Sequence, residues 1–254
     1  MRTKLWMAAL TLVIPMTVQS QDYKVAKATG TLEIVDVNDV TIEGTTGNEI
    51  IFSSRSHDRD ADERAKGLRA VSSLGLEDNT GLGLSVIDKG NVIEVRQLKK
   101  MDGPDITIKV PKGIVISYRH SSPYGSGFKL KNLENEIRVS TVHNEVKLDN
   151  VTGPMNVKTV HGEINATFGT NIKSPVSIAS VHGHVDVALP VATKATLRLS
   201  TSWGEIFIDP ELKIEIDKKG DMIEYSDNFS GKMNGGGIDI ELSSTHNNVY
   251  IRKN

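Results

Sequence analysis

Short runs of alternating apolar and polar residues follow one another along the chain, and five of these runs share one pattern. Each run has alternating apolar residues, a small hydroxyl residue, a His or Trp, a Gly or Asn, and a second apolar stretch, as in Met155–Ile164. Spacings of 18, 21, 21 and 43 residues separate the marked positions His143, His161, His182, Trp203 and His246. This regularity indicates an internal repeat. The last spacing is close to two units and predicts one degenerate coil between Trp203 and His246.

A period of two on both sides of a Gly or Asn predicts short β-strands joined by tight turns. A sandwich and a solenoid both fit such strands. Recurring side-chain identity favours the solenoid, because coils stacked about 4.8 Å apart place equivalent residues in ladders. We therefore predict an all-β protein, a β-solenoid or β-helix with coils of 18–21 residues, clearest over residues 131–208. Its strand edges need protection, and Gln21–Thr29 and Arg252–Asn254 are expected to cap them.

Residues 53–90 interrupt the strand pattern and are predicted to form an irregular insertion that bulges from one coil. Asp60 and Glu63 have the spacing of a helix capping box, which predicts a short helix over Ala61–Leu74 that Gly67 weakens. Because no second pattern of strands or helices appears elsewhere, residues 21–254 are predicted to be a single β-solenoid domain.

The first 20 residues are typical of a secretory signal peptide. Arg2 and Lys4 precede the apolar stretch Leu5–Val18, and a cut is expected ahead of Gln21. The stretch has 14 residues and contains Pro15, whereas roughly 20 apolar residues are needed to span a bilayer. The sequence predicts an exported protein, periplasmic or at the cell surface or extracellular, with no transmembrane segment after cleavage.

Composition narrows the classes of function. The chain of 254 residues has 30 Lys and Arg against 32 Asp and Glu, with no basic run longer than Lys99–Lys100, so nucleic acid is not expected as a partner. It has no cysteine, which excludes disulfides, a thiol nucleophile and a lipid-modified cysteine. Asp58–Asp62 departs from the calcium-loop template at Glu63 and Arg69. Serine-hydrolase and phosphate-loop motifs are also missing, so the prediction is a protein without enzymatic activity, cofactor or metal.

The marked residues are the first candidate site. If the coils stack in register, His143, His161 and His182 lie on successive rungs with Trp203 on the fourth. Stacked imidazoles can bind zinc or copper through neutral nitrogens, or one corner of the solenoid favours flat side chains that stack on each other. Trp203 favours the stacking interpretation, because indole is not a metal ligand.

A second candidate row lies two residues after the marked positions and contains Glu145, Glu163, His184 and Glu205. Like charges in a ladder repel, and His184 is expected to relieve the repulsion by becoming protonated. Glu163 and His184 have the residue types of an acid–base pair, whereas a solvated polar edge accounts for the row without a catalytic cleft. Both rows are candidate ligand-binding positions.

The turn Val110–Gly113 after an amphipathic strand, followed by serial Thr-Val-His-Gly-Glu-Ile units, resembles the bacterial putative-adhesin family of exported β-helical, toastrack-like domains of unknown function. The resemblance is strongest from Ile106 to Ile208. It implies a β-solenoid in the bacterial envelope and carries no catalytic residues to transfer.

These observations together predict a non-enzymatic exported envelope protein whose rigid β-solenoid surface serves adhesion or scaffolding. An envelope protein or a surface glycan is the expected partner. The alternative is a metal-binding or polysaccharide-acting envelope enzyme that uses the His and Glu rows.

Overall fold

Alternating buried and exposed side chains identify the strands of this chain. The computed structural model describes residues 22–54, 64, 67–101, 103–125, 127–173, 175–216 and 228–254. Within these residues the chain forms no α-helix. Its strands are β1 (Tyr23–Val25), β2 (Thr29–Val35), β3 (Asp39–Thr45), β4 (Ile50–Ser54), β5 (Leu84–Asp88), β6 (Val92–Gln97), β7 (Asp105–Pro111), β8 (Gly113–His120), β9 (Gly127–Leu133), β10 (Ile137–Thr141), β11 (Glu145–Val151), β12 (Met155–Thr159), β13 (Ile164–Phe168), β14 (Val176–Ser180), β15 (Val185–Leu189), β16 (Ala195–Thr201), β17 (Ile206–Ile208), β18 (Ile214–Ile216), β19 (Asn228–Met233), β20 (Ile238–Ser244) and β21 (Val249–Lys253). The all-β prediction is confirmed.

The strands form two sheets that share one hydrophobic core. Sheet 1 has the order β1-β4-β7-β3-β9-β11-β13-β15-β21-β17, and sheet 2 has the order β18-β19-β16-β20-β14-β12-β10-β8-β2-β6-β5. Neighbouring strands are parallel through the middle of both sheets. The pairs at both ends of sheet 2 and at the β1 end of sheet 1 are antiparallel, whereas β17 pairs parallel with β21. A strand of sheet 2 and the following strand of sheet 1, such as β12 and β13, make one rung of the predicted solenoid.

The rungs do not stack in chain order. Their spatial order is β6/β7, β2/β3, β8/β9, β10/β11, β12/β13, β14/β15, β20/β21 and β16/β17. Near one end β2/β3 lies between β6/β7 and β8/β9, and near the other end β20/β21 lies between β14/β15 and β16/β17. Only the four central rungs, from β8/β9 to β14/β15, follow one another as a simple repeat.

The predicted degenerate coil between Trp203 and His246 is wrong. After β17 the chain leaves the stack, forms β18, and adds β19 antiparallel to β16. It then returns to place β20 between β14 and β16, on the opposite side of β16 from β19. The 43-residue spacing therefore reflects an excursion to the end of the stack.

The two ends of the stack differ in shape. At the end called here the β5 end, sheet 1 extends two strands past the last rung, β4 and β1, and sheet 2 extends one, β5. At the opposite end, the β18 end, sheet 2 extends by β19 and β18 and sheet 1 stops at β17. The N-terminal cap prediction agrees with β1 as an edge strand, but the C-terminal one is wrong because β21 lies between β15 and β17.

The predicted insertion is more regular than its sequence indicates. It contains the end of β4 and the whole of β5, which pairs antiparallel with β6. Within the predicted helix, residues 67–74 are not helical. Asp60, Glu63 and the first 20 residues lie outside the described residues, so the division into a signal segment and one domain stays a prediction. No helix in the described ranges is long and apolar enough to cross a membrane.

Candidate functional site

Five flat side chains line one corner of five consecutive rungs. We call this set the ring ladder, and its spatial order is His143, His161, His182, His246 and Trp203. The ring centroids are 5.2, 4.8, 4.7 and 6.5 Å apart, and neighbouring planes are within 12° of parallel. All five side chains are exposed, Trp203 to 77%. The predicted stack of His143, His161 and His182 is confirmed.

Trp203 does not occupy the predicted fourth rung. His246 takes that place, and Trp203 stacks on His246 as the fifth ring. The cause is the insertion of β20/β21 between β14/β15 and β16/β17, which brings His246 to His182 although the two residues are far apart in the chain.

Backbone hydrogen bonds fix the corner that carries the rings. The amide of His161 donates to the carbonyl of Val142 at 2.7 Å, and the amide of His182 donates to that of Val160 at 2.8 Å. The amides of His246 and Trp203 bond to the preceding rung in the same way. The parallel pairing of the strands therefore continues through the turn and holds each ring over the next.

Beneath the rings runs a row of hydroxyl side chains, buried or nearly so: Thr141, Thr159, Ser180, Ser244 and Thr201. Ser180 Oγ donates to the Gly162 carbonyl at 3.0 Å and accepts from the Gly183 amide at 2.9 Å. Ser244 Oγ repeats this arrangement with the Gly183 carbonyl and the Asn247 amide. The hydroxyls satisfy turn groups that burial would otherwise leave unpaired, which explains the Ser or Thr of every repeat.

The glycine of the repeat is required by close approach of neighbouring turns. A Cβ atom on Gly162 would lie 2.0 Å from the Asn144 carbonyl oxygen, and one on Gly204 would lie 2.2 Å from that of Asn247. At Gly162 and Gly204 no side chain fits unless the neighbouring turn shifts.

The ring geometry favours stacking over metal binding. The lone pairs of imidazole nitrogens lie in the ring plane, so nearly parallel rings direct them alongside one another and not toward a common ion. Zinc takes tetrahedral nitrogen ligands at about 2.0–2.1 Å, and rings about one rung apart do not place three nitrogens around one centre. No group of three or more His, Cys, Asp or Glu in the described residues is arranged to hold a metal.

The second row is a mixed hydrogen-bonded network. His184 Nδ1 lies 3.3 Å from Glu163 Oε1, and His184 Nε2 lies 3.2 Å from Asn165 Oδ1. The side-chain Nδ2 of Asn165 donates to Glu145 Oε1 at 3.1 Å, and Lys147 Nζ lies 3.0 Å from the same oxygen. Glu145, Glu163 and His184 are therefore brought together as predicted, with Asn165 and Lys147 as partners that the repeat pattern did not identify.

Glu205 is not the next member of this row. Asn248 stands between His184 and Glu205, because β21 lies between β15 and β17. Asn248 Oδ1 accepts a hydrogen bond from the Glu205 amide at 2.9 Å, and its side-chain amide donates to the Tyr250 hydroxyl at 2.9 Å. The neutral amides of Asn165 and Asn248 reduce the like-charge repulsion that the sequence predicts.

The family model described as Toastrack DUF4097 matches residues 126–252, half of the chain, and the match includes the whole ring ladder. The chain belongs to this Toastrack family. No curated protein is detectably similar to it.

Two solved structures resemble the Toastrack chain. One is a putative cell adhesion protein from Clostridium sporogenes ATCC 15579, with 12% identity, 93% of this chain and 100% of that chain covered, and a TM-score of 0.47. The other is a putative adhesin from Bacteroides fragilis NCTC 9343, with 11% identity, coverage of 94% and 98%, and a TM-score of 0.39.

A buried polar cluster adjoins the ring ladder on its β5 side. In the rung β8/β9 His120 takes the position that Thr141 has in the next rung. His120 Nε2 lies 3.1 Å from Asn38 Oδ1, and Asn144 Nδ2 donates to the hydroxyl of Tyr118 at 3.2 Å. His120 Nδ1 and Asn144 Oδ1 are buried without a hydrogen-bond partner. The repeat pattern does not extend to this rung, so sequence reasoning missed the cluster.

Burial of His120 makes the free energy of unfolding depend on pH. It lowers the pKa of the His120 imidazole; the carboxylates of Asp36 and Asp39 oppose this effect, and His143 adds to it. An unfolded histidine binds its proton at about pH 6.5, whereas the folded chain binds this proton only at lower pH. The unfolded state therefore binds more protons as the pH falls through about 6.5 toward the folded-state pKa, and the free energy of unfolding falls over that window.

We expect the wild-type Toastrack chain to lose more stability than His120→Gln when the pH is lowered from about 8 to about 5. Urea unfolding at several pH values measures the difference between the two slopes. Asn156→Ala, at an exposed position of β12 that carries no ionisable group, is the control and should keep the wild-type slope. Equal slopes for wild type and His120→Gln would contradict the linkage.

Proposed function

We propose that this Toastrack chain is a non-enzymatic exported envelope protein whose solenoid offers a rigid surface for adhesion or scaffolding. The exposed ring ladder is the observation that carries the proposal. Stacked repeats create extended binding surfaces without needing a pocket, and contiguous exposed patches of this kind mark interaction sites. The signal-like pattern of residues 1–20 supports export to the periplasm or the cell surface.

The chemistry of the ring ladder suits an extended partner. Stacking covers most ring faces, so the surface presents ring edges, and imidazole edges carry one donor and one acceptor nitrogen when neutral. These edges recur at intervals of 4.7–5.2 Å from His143 to His246. A protein segment or a surface glycan with regularly spaced polar groups can bond to several rungs at once, and the rigid corner limits the entropy lost on binding.

Chemical cross-linking in the native envelope, followed by affinity capture and mass spectrometry, tests the proposal. We expect a stoichiometric partner with the wild type and its loss with His161→Ala/His182→Ala. Both substitutions remove exposed rings and leave the hydroxyl row intact. The matched control is Asn156→Ala/Lys158→Ala, two exposed positions on the flank of β12, which should retain the partner. Retention by the ring variant would contradict a binding role for the ring ladder.

The same double variant separates the proposal from the alternative of a metal-binding or polysaccharide-acting enzyme. Titration of the purified protein with zinc or copper is the readout. Stoichiometric binding that His161→Ala/His182→Ala abolishes would favour the alternative, and partner capture unaffected by a chelator would favour the surface role.

A further inference from the structure

Sheet 1 ends at β17 with a free strand edge. Among the described strands only β21 pairs with β17, whereas sheet 2 continues past β16 by β19 and β18. The amide of Val249 donates to the carbonyl of Glu205 at 3.0 Å. Because successive residues of a parallel strand bond to opposite neighbours, the amides and carbonyls of Ile206 and Ile208 lie on the outer edge. This edge is open to a further strand.

The inward side chains of β17 are also less covered than those of the strand beside it. Ile206 and Ile208 are only partly buried, whereas their partners in β21, Val249 and Ile251, are 0% and 1% exposed. On the opposite sheet Phe229 of β19 is likewise partly buried. One more strand beside β17 would lie opposite β19, and apolar side chains on its inner face would cover these residues.

Two ring stacks end on this rung with one face open. Trp203 is the last ring of the ring ladder, and among the described residues its ring neighbour is His246, on the side of β20/β21. Phe207 is the last ring of a second stack, with Tyr250 at 5.2 Å on the same side. Trp203 is 77% exposed and Phe207 is 43% exposed. A flat side chain on an added strand would continue either stack.

Charge and backbone chemistry narrow the kind of occupant. Glu205 and Asp209 lie two residues on either side of Phe207, which favours a strand with a basic residue at this level. Two β17 strands paired antiparallel about Phe207 would place Glu205 of one copy opposite Asp209 of the other, and opposed like charges destabilise a strand pair. A glycan has no regular row of amides and carbonyls to match the edge. A peptide strand from another protein therefore fits best.

We propose that β17 binds an extended segment of a partner protein by strand addition. The segment runs parallel to β17, with apolar residues on its inner face, a flat side chain over Phe207 and a basic residue beside Asp209. In this mode of recognition main-chain hydrogen bonds supply affinity, and alternate side chains supply specificity. The site lies at the end of the stack and does not depend on what binds His161 and His182 of the ring ladder.

The chain itself supplies a probe with this chemistry. A synthetic peptide with the sequence of residues 245–252, Thr-His-Asn-Asn-Val-Tyr-Ile-Arg, has the required apolar, aromatic and basic positions. In the register that β21 has with β17, its histidine would lie over Trp203, its tyrosine over Phe207 and its arginine beside Asp209. Fluorescence anisotropy of the labelled peptide, titrated with the purified protein, measures the affinity. We expect saturable binding.

Variants of the protein test the contribution of the rings. Trp203→Ala and Phe207→Ala should each weaken binding of the peptide about tenfold or more, as expected when a ring at the centre of an interface is lost. Asn156→Ala/Lys158→Ala on the flank of β12 is the matched control and should bind the peptide like wild type.

Variants of the peptide test the backbone pairing. In β21 the amide of Val249 faces β17, so that of Tyr250 faces β15. A peptide outside β17 would therefore direct its tyrosine amide toward β17 and its valine amide away from it. N-methylation of the tyrosine should abolish binding, and N-methylation of the valine is the matched control that should preserve it.

Several results would overturn the proposal. Absence of saturable peptide binding to the wild type is one, and a change in tryptophan fluorescence with chitotetraose would then assign the open rings to a glycan. Equal effects of the two N-methylations, or no effect of either ring substitution, would show that the peptide does not add to β17. Self-association of the free protein that Trp203→Glu abolishes in sedimentation velocity would assign the edge to a second copy.

The histidine variant keeps this test separate from the proposed function. His161→Ala/His182→Ala leaves β17 and both open rings in place, so it should bind the peptide like wild type. Loss of the envelope partner with retained peptide binding would support both proposals. Retention of the envelope partner by this variant would contradict the role of the ring ladder and leave the result at β17 unchanged.

Discussion

Gly183→Ala is expected to lower the free energy of unfolding by about 3 kcal/mol or more. The added Cβ would lie 2.0 Å from the carbonyl oxygen of Gly162 and 2.6 Å from its carbonyl carbon. Both atoms belong to the backbone of a turn held by Ser180, so no flexible side chain can move aside. Two rungs must separate locally to accept the methyl group.

Urea unfolding of Gly183→Ala against wild type measures this loss. Gly47→Ala is the matched control, because a Cβ there would meet no atom closer than 3.6 Å. We expect the control to stay within about 1 kcal/mol of wild type. A loss of similar size in both variants would show that close packing of the turns does not govern the repeat.

Phe128→Ala is expected to cost about 3–5 kcal/mol. The ring is fully buried and stacks on Tyr118 with centroids 3.8 Å apart and planes 1° from parallel. On its own sheet Phe128 lies between Val40 of β3 and Val146 of β11. Its removal leaves a cavity where the out-of-order rung β2/β3 meets the repeats.

Thermal and urea unfolding measure the loss for Phe128→Ala. Phe207→Ala is the comparison, because it removes the same side chain from an edge strand where the ring is 43% exposed. We expect that variant to lose about 1 kcal/mol or less. Equal losses would mean that the contact of Phe128 with Tyr118 adds nothing beyond the presence of a phenyl ring.

The repeat was predictable because the strict alternation of apolar and polar residues and the recurring side chains are visible within short stretches of sequence. Met155, Val157 and Thr159 point inward in β12, and each is paired with its counterpart in β10 and β14. Stacking of His143, His161 and His182 follows directly from that register. The sequence therefore predicts the part of the ring ladder that lies on rungs consecutive in the chain.

Rung order was not predictable from the same pattern. The runs that contain Trp203 and His246 have the same alternation, so either could have followed His182. The choice depends on β18 and β19, which lie on the outer side of β16 and leave its other side to β20. A repeat period in the sequence does not reveal such a placement. The cluster around His120 was missed for a related reason. Asn38 and Asn144 are polar residues that become buried only through contacts between distant segments.

Placing β21 inside the stack sets the order in which the molecule can be completed. β15 and β17 both pair with β21, so during synthesis from the N-terminus these two strands lack their shared partner until β21 has been made. At the other end β2 likewise lacks both of its pairing partners until β6 and β8 have been made. Closure of the stack therefore requires β21, and a chain synthesised from its N-terminus has no finished stack before β21 has been made.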